Sequence, residues 1–256
     1  MRYSKTLKKI REGGLARCTA LGHFIPAYIA HAARAGYDCI WLDLEHRAID
    51  IREIQALMPL FREFDIDCML RAPTLEKTGL YRYLEEGATG LMIPHVSTPE
   101  RARELVQAAK FPPLGDRGLD NAGYDSVYRE TADNLAYADH ANRETFLCVQ
   151  IETPLAVENV EEIVAVPGID MIFVGPGDLG LRYTLDGDTD GSRLEAAYER
   201  VAAACQKHGV AWSCPSGTVE DMRRRRSLGA GMLANCGDYM ILRDGLVNAV
   251  RMFDEI

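Results

Sequence analysis

No two of the seven cysteines stand in CxxC spacing, which excludes a zinc ribbon or a thioredoxin-like redox centre. Their number is odd, and Cys39, Cys68, Cys148, Cys214 and Cys236 lie in apolar, strand-like segments. They read as small buried hydrophobes in a reducing compartment. No stretch approaches the roughly 20 apolar residues of a membrane span. The first eleven residues, Met1 to Arg11, are basic and amphipathic, without the apolar centre of a signal peptide. A cytoplasmic protein with no membrane partner is expected. Positive charge is also short. Lys and Arg number 29 against 38 Asp and Glu, for a net charge of −9. Such a surface repels phosphate backbones, so no nucleic-acid partner is expected. The single basic block, Arg223–Arg226, reads as the solvated face of a surface helix.

The 256 residues, 47% hydrophobic and 26% charged, suffice for a substantial core without staples. Short apolar runs alternate with longer amphipathic ones. The short runs are Leu15–Leu21, Cys39–Leu44, Asp67–Arg71, Gly90–Val96, Phe146–Ile151, Met171–Val174, Val210–Cys214 and Gly231–Asn235. Each is bounded by Gly, Pro or polar residues, as strands are. Between them, Ile51–Phe64 and Leu194–His208 carry apolar stripes at helical spacing. Thr98 before Pro99, and Thr218 three residues ahead of Asp221, read as N-caps. Gly87 and Gly229 read as left-handed helix ends. Eight strands with intervening helices predict one parallel (β/α)₈ barrel over residues 1–256. A doubly wound open sheet would want a GxGxxG turn after its first strand, and none is present. The segment from Phe111 to Arg143 is a long insertion between the fourth and fifth strands.

Catalytic groups of such barrels sit at the C-terminal ends of the strands. Alternation points Trp41, Asp43 and Glu45 inward on the second strand, with His46 at the rim. Arg71 points inward on the third strand, and Gln150 and Glu152 on the fifth. The sixth strand ends in Gly175-Pro176-Gly177-Asp178. Neighbouring strands lie about 4.8 Å apart, so Glu152 and Asp178 can reach one small cation. Two carboxylates with open positions suit Mg²⁺ or Mn²⁺. Alternatively, one of these two carboxylates could pair with Arg71 and the other cap a helix, or Arg71 could pair with Asp43. His46 could cap the following helix, and His23 and His95 could be rim residues. His31, His140 and His208 fall in helical segments and read as surface residues. None of Lys5, Lys8, Lys9, Lys77, Lys110 and Lys207 lies in the inward register of a strand, which excludes a Schiff-base lysine inside the barrel.

The set Asp43-Leu44-Glu45-His46, Arg71-Ala72-Pro73, Gly87-Ala88 with Ile93-Pro94, Gly115-Asp116-Arg117-Gly118, Gln150-Ile151-Glu152 and Gly175-Pro176-Gly177-Asp178-Leu179 resembles the HpcH/HpaI aldolase family. The match runs in order over roughly residues 14–180 and more weakly to the end. The resemblance implies a (β/α)₈ barrel whose last helix is exchanged between subunits in a hexamer or trimer. It implies Glu152 and Asp178 as ligands of Mg²⁺, Mn²⁺ or a similar ion such as Co²⁺. Arg71 would contact the keto oxygen of a 2-oxo acid. Gln150, Asp178 and the backbone around Gly177 would complete the substrate site. His46, with its tautomer fixed by Asp43, would handle protons. The implied activity is a metal-dependent pyruvate aldolase acting on 4-hydroxy-2-oxo acids, with an aldehyde as second substrate.

Departures from the family pattern fall at Cys18–His23, Gly177, Leu119–Tyr124 and Met232–Asp238. They leave the metal chemistry intact and bear on the aldehyde. Decarboxylation of an oxaloacetate-like acid would use the same residues. A CoA-ester lyase would want a basic groove that the chain lacks. A non-catalytic oxo-acid-binding barrel would need no proton relay.

Overall fold

The computed structural model describes residues 2–120, 122–128 and 133–256. Asn121 and part of the 111–143 insertion lie outside the described residues. The strands are β1 (Ala16–Leu21), β2 (Cys39–Asp43), β3 (Asp67–Arg71), β4 (Gly90–Ile93), β5 (Phe146–Ile151), β6 (Met171–Val174), β7 (Ala211–Pro215) and β8 (Met232–Gly237). Each pairs in parallel with the next, and β8 closes on β1. All eight fall where the apolar runs predict them.

The helices are α1 (Lys5–Arg11), α2 (Pro26–Ala35), α3 (Ile51–Glu63), α4 (Lys77–Glu85), α5 (Pro99–Ala109), α6 (Asn134–Glu144), α7 (Pro154–Glu158), α8 (Val160–Val164), α9 (Pro176–Leu185), α10 (Ser192–His208), α11 (Val219–Ser227) and α12 (Asp238–Arg251). Caps set their starts. Asp50 and Glu53 form a reciprocal capping box on α3. Thr98 and Thr218 accept from the backbone N–H of Arg101 and Asp221. Among the described residues no helix is long and apolar enough to cross a membrane.

Alternation along the strands sorts the core into two layers. Ile40, Leu42, Leu70, Leu91, Leu147, Val149, Ile151, Ile172 and Val174 face the helices. Cys18, Cys39, Met69, Met92, Phe146, Cys148, Met171, Phe173 and Met232 fill the barrel, with Leu7 of α1 plugging its lower end. The interior is thus packed largely with flexible methionine and small cysteine, while branched residues carry the helix interface. Gly90 is required by this packing. A Cβ there would lie 2.3 Å from the Phe146 ring.

One expectation fails in β8. Cys236 is exposed, not buried. The β1–β8 register slips, with Cys18 opposite Ala234 but Ala20 opposite Gly237. This bulge inserts one extra residue and turns Cys236 into the left-handed region at φ 48°.

Candidate active site

The C-terminal ends of β2 to β6 bring together most of the residues singled out above. Register places Asp43 directly beside Arg71. Arg71 Nε and Nη2 donate to the two Asp43 oxygens at 2.9 and 2.8 Å, a bidentate pair. Arg71 Nη1 lies 2.9 Å from Glu45 Oε2. Its guanidinium also sits over the Trp41 ring, 4.5 Å from the centroid. Burial alone would raise the Asp43 pKa. The Arg71 guanidinium and the backbone N–H groups of His46 and Glu45 outweigh it and hold the carboxyl below the usual range.

Asp43 therefore does not fix the His46 tautomer, contrary to what the resemblance implies. It meets His46 only through the backbone N–H, at 3.3 Å. Both oxygens of Asp43 are taken by the neighbouring guanidinium. The carboxylate near the exposed His46 ring belongs to Glu45, with Oε2 3.7 Å from Nε2. Asp43 instead orients Arg71.

Glu152 ends β5 and is buried. Its oxygens accept from Gln150 Nε2 at 3.1 Å and from the His95 backbone N–H at 2.6 Å. The His95 Nδ1 lies 3.0 Å from Glu152 Oε1 and its Nε2 lies 3.6 Å from Glu45 Oε1. Burial raises the Glu152 pKa. His95 pulls it back, Glu45 and Asp178 push it further, and the net direction is up. Asp178 projects from the first turn of α9, after the β6 turn. Donor atoms of His95, Glu152 and Asp178 all lie within 4.8 Å of one another. Gly175 makes room for this cluster: a Cβ there would stand 2.8 Å from Glu152 Oε2. A Cβ on Gly177 would meet nothing within 4 Å.

A divalent cation fits these residues. Glu45, Glu152 and Asp178 crowd negative charge at the mouth, and Gln150 Oε1 is buried with no hydrogen-bond partner. Two carboxylates and an imidazole are the donor types that hold such ions. His95 is the residue that strand alternation misses. Met92 points inward, so regular alternation would send residue 95 outward. A left-handed turn at His95, φ 56°, brings its ring back over Glu152 instead.

Residues 21–244 match the family model described as HpcH/HpaI aldolase/citrate lyase. The chain belongs to that family. A protein of Deinococcus radiodurans named hydroxypyruvate/pyruvate aldolase is 36% identical over 178 residues, 69% of this chain and 63% of that protein. The chain thus spans less than two thirds of that relative. A Salmonella paratyphi A protein named 2-keto-3-deoxy-L-rhamnonate aldolase is 31% identical over 237 residues, covering 90% of this chain and 86% of its own length. The crystal structure of an HpcH/HpaI aldolase from Desulfitobacterium hafniense superposes with a TM-score of 0.90 at 31% identity, over 97% of this chain and 96% of that one. The family agrees with the barrel fold.

Proposed function

We propose that the chain is a metal-dependent pyruvate aldolase, which cleaves or forms the C3–C4 bond of a 4-hydroxy-2-oxo acid. The observation that carries this reading is the cluster of His95, Glu152 and Asp178, linked through Glu45 to Arg71. It supplies two carboxylate ligands and a fixed cation within one mouth. The aldolase names of the relatives support it. Held by Glu152 and Asp178, Mg²⁺, Mn²⁺ or Co²⁺ would supply Lewis-acid stabilisation of the charge that develops on the 2-oxo group.

The chain's own residues do the rest. Arg71 has five N–H donors, three of them engaged by Asp43 and Glu45, and the remainder are free for the keto oxygen. Its orientation is set before substrate arrives, so little reorganisation is needed as charge builds. Gln150 and the free backbone N–H groups of Gly177 and Asp178, at the N-terminus of α9, suit the substrate carboxylate. In cleavage, the 4-hydroxyl proton leaves to His46, directly or through water, as the C3–C4 electron pair moves into the pyruvate enolate. The aldehyde departs, and protonation at C3 yields pyruvate.

Two features support subunit exchange through α12. From Tyr239 to Ile256 every residue is exposed, including Ile241, Leu242, Leu246 and Val250. The outer wall across β1 and β8 meanwhile carries a cavity of about 410 Å³ lined by Leu15, Tyr37, Met222 and Leu233. That is where a closing helix of the barrel would pack, and α12 of another copy fits it.

The test is pyruvate release from a panel of 4-hydroxy-2-oxo acids after chelation, with and without Mg²⁺ or Mn²⁺. Metal-dependent release is expected. Loss of CO₂ from oxaloacetate without cleavage of any hydroxy-oxo acid would move the function to decarboxylation.

A further inference from the structure

We propose that His95 is a third protein ligand of the cation, binding through Nδ1, and that it turns the preference of the site from Mg²⁺ toward Co²⁺. The inference rests on the reading of Glu152 and Asp178 as metal ligands and names the ion that their site selects. Among the described residues His95, Glu152 and Asp178 are the one trio of His, Cys, Asp or Glu side chains whose donor atoms all lie within 4.8 Å of one another. His95 Nδ1 stands 3.0 Å from Glu152 Oε1. An octahedral ion of this kind holds its ligands at ~2.1 Å, so neighbouring ligands stand ~3.0 Å apart. The two atoms are already at that spacing. A left-handed turn, φ 56°, carries His95 there, and its backbone N–H donates to the same Glu152 oxygen at 2.6 Å. Backbone and ring of one residue therefore meet one carboxylate. That φ costs strain in a residue with a Cβ, and a ligand position is a use for it.

The tautomer follows from the charges around the ring. Nε2 lies 3.6 Å from Glu45 Oε1, and Glu45 Oε2 is held by Arg71 Nη1 at 2.9 Å. With no cation, Glu152 competes for the ring proton at Nδ1. A cation between Glu152 and Asp178 repels a proton there. The proton then sits on Nε2 beside Glu45, and the Nδ1 lone pair faces the ion. A carboxylate behind a metal-bound imidazole is a common outer-shell arrangement, and it raises the basicity of the ligand. Glu152 and Asp178 alone would make an all-oxygen site, which suits Mg²⁺. An imidazole nitrogen adds most to the affinity of Co²⁺ and least to that of Mg²⁺.

The experiment measures Mg²⁺ and Co²⁺ binding by calorimetry to metal-free wild type, His95→Ala and His95→Asn. Asn adopts the left-handed region readily, so His95→Asn keeps the turn that Ala strains. Both variants should bind Co²⁺ about 10-fold or more weakly, since losing even an outer-shell partner of a ligand costs that much. Mg²⁺ affinity should fall much less, so the Co²⁺/Mg²⁺ ratio of the wild type drops. The visible absorption of bound Co²⁺ is a second readout. Oxygen in place of nitrogen weakens the ligand field, so the band should move to longer wavelength in both variants. An unchanged ratio or an unchanged band overturns the assignment. So does an equal loss for the two ions, which would mean that His95 only positions Glu152. Glu152→Gln separates this failure from that of the site. If Glu152→Gln loses binding while the His95 variants bind as the wild type does, only the His95 assignment falls. If the wild type binds neither ion, or Glu152→Gln binds both as the wild type does, the reading of the metal site falls and the His95 assignment with it.

Discussion

Asp43 holds Arg71 through two parallel hydrogen bonds, at 2.9 and 2.8 Å, from adjacent positions on β2 and β3. The pair fixes the Arg71 guanidinium, which also meets Glu45. Asp43→Asn keeps the shape but loses the charge and one acceptor. Activity should fall by about 10-fold or more, because a donor aimed at developing charge is worth ~2–4 kcal/mol. Divalent-metal affinity, measured by calorimetry, should change little. Stability supplies a second test. The depressed Asp43 pKa means the pair stabilises the fold fully above the ordinary carboxylate pKa and is lost as pH falls through the lowered value. Asp43→Asn should therefore lower Tm at pH 7, and its deficit against wild type should shrink at strongly acid pH. A constant deficit at every pH would argue against a charge-based role.

Glu152 is buried among other carboxylates, and its charged form is disfavoured without a cation. Glu152→Gln removes that charge at little cost in shape. The metal-free variant should be as stable as wild type or more so at neutral pH. It should lose most of the stabilisation that added Mn²⁺ gives the wild type, which at 100 times Kd is about 2.7 kcal/mol. Differential scanning calorimetry with and without Mn²⁺ reads both effects. An equal Tm rise in the variant would remove Glu152 from the metal site.

Two glycines of one turn should respond in opposite ways. Gly175→Ala forces a methyl to 2.8 Å from Glu152 Oε2, so the carboxylate must move. Overpacking of this kind costs about 1–3 kcal/mol, and metal affinity should drop with it. Gly177→Ala meets open space inside the first turn of α9. It should stabilise by about 0.5–1 kcal/mol through helix propensity. Similar effects at both positions would mean that the Glu152 side chain is not packed against Gly175.

Much of this site was legible because strand alternation is strict. The inward parity of Asp43, Glu45, Arg71, Gln150 and Glu152 follows from period two, and the barrel follows from eight short apolar runs. What escaped depends on single backbone torsions and on competition between side chains. His95 enters the site through a left-handed φ, and Cys236 leaves the core through a bulge. Neither is encoded in hydrophobic period. Asp43 could have served His46 or Arg71 on sequence grounds. The direct register of Asp43 with Arg71 decides for the guanidinium.

His46 is exposed, with Glu45 Oε2 3.7 Å from its Nε2. His46→Ala should spare Mn²⁺ binding and slow aldol cleavage by about 100-fold, as loss of an acid–base group does. The same comparison on His95→Ala separates the two rings, since His95 sits against Glu152. Unchanged turnover in His46→Ala would transfer the proton step elsewhere.

The exposed α12 makes the last prediction. Leu242 and Leu246 lie one helical turn apart and are 52% and 69% exposed. Buried against another copy, each would contribute about 2 kcal/mol. Left in water, both would be an unexplained apolar stripe at the end of an otherwise well-packed barrel. The double variant Leu242→Asp/Leu246→Asp should therefore dissociate the assembly, seen by light scattering as a fall in mass toward 28.4 kDa. Tm should fall as well, because the outer wall at Leu15, Tyr37, Met222 and Leu233 would lose its cover. A second variant at that wall, Met222→Asp, should give the same dissociation from the other side of the contact. If both variants keep the wild-type mass, α12 and the β1–β8 wall do not meet between subunits. If only the wall variant keeps it, α12 docks on a different surface.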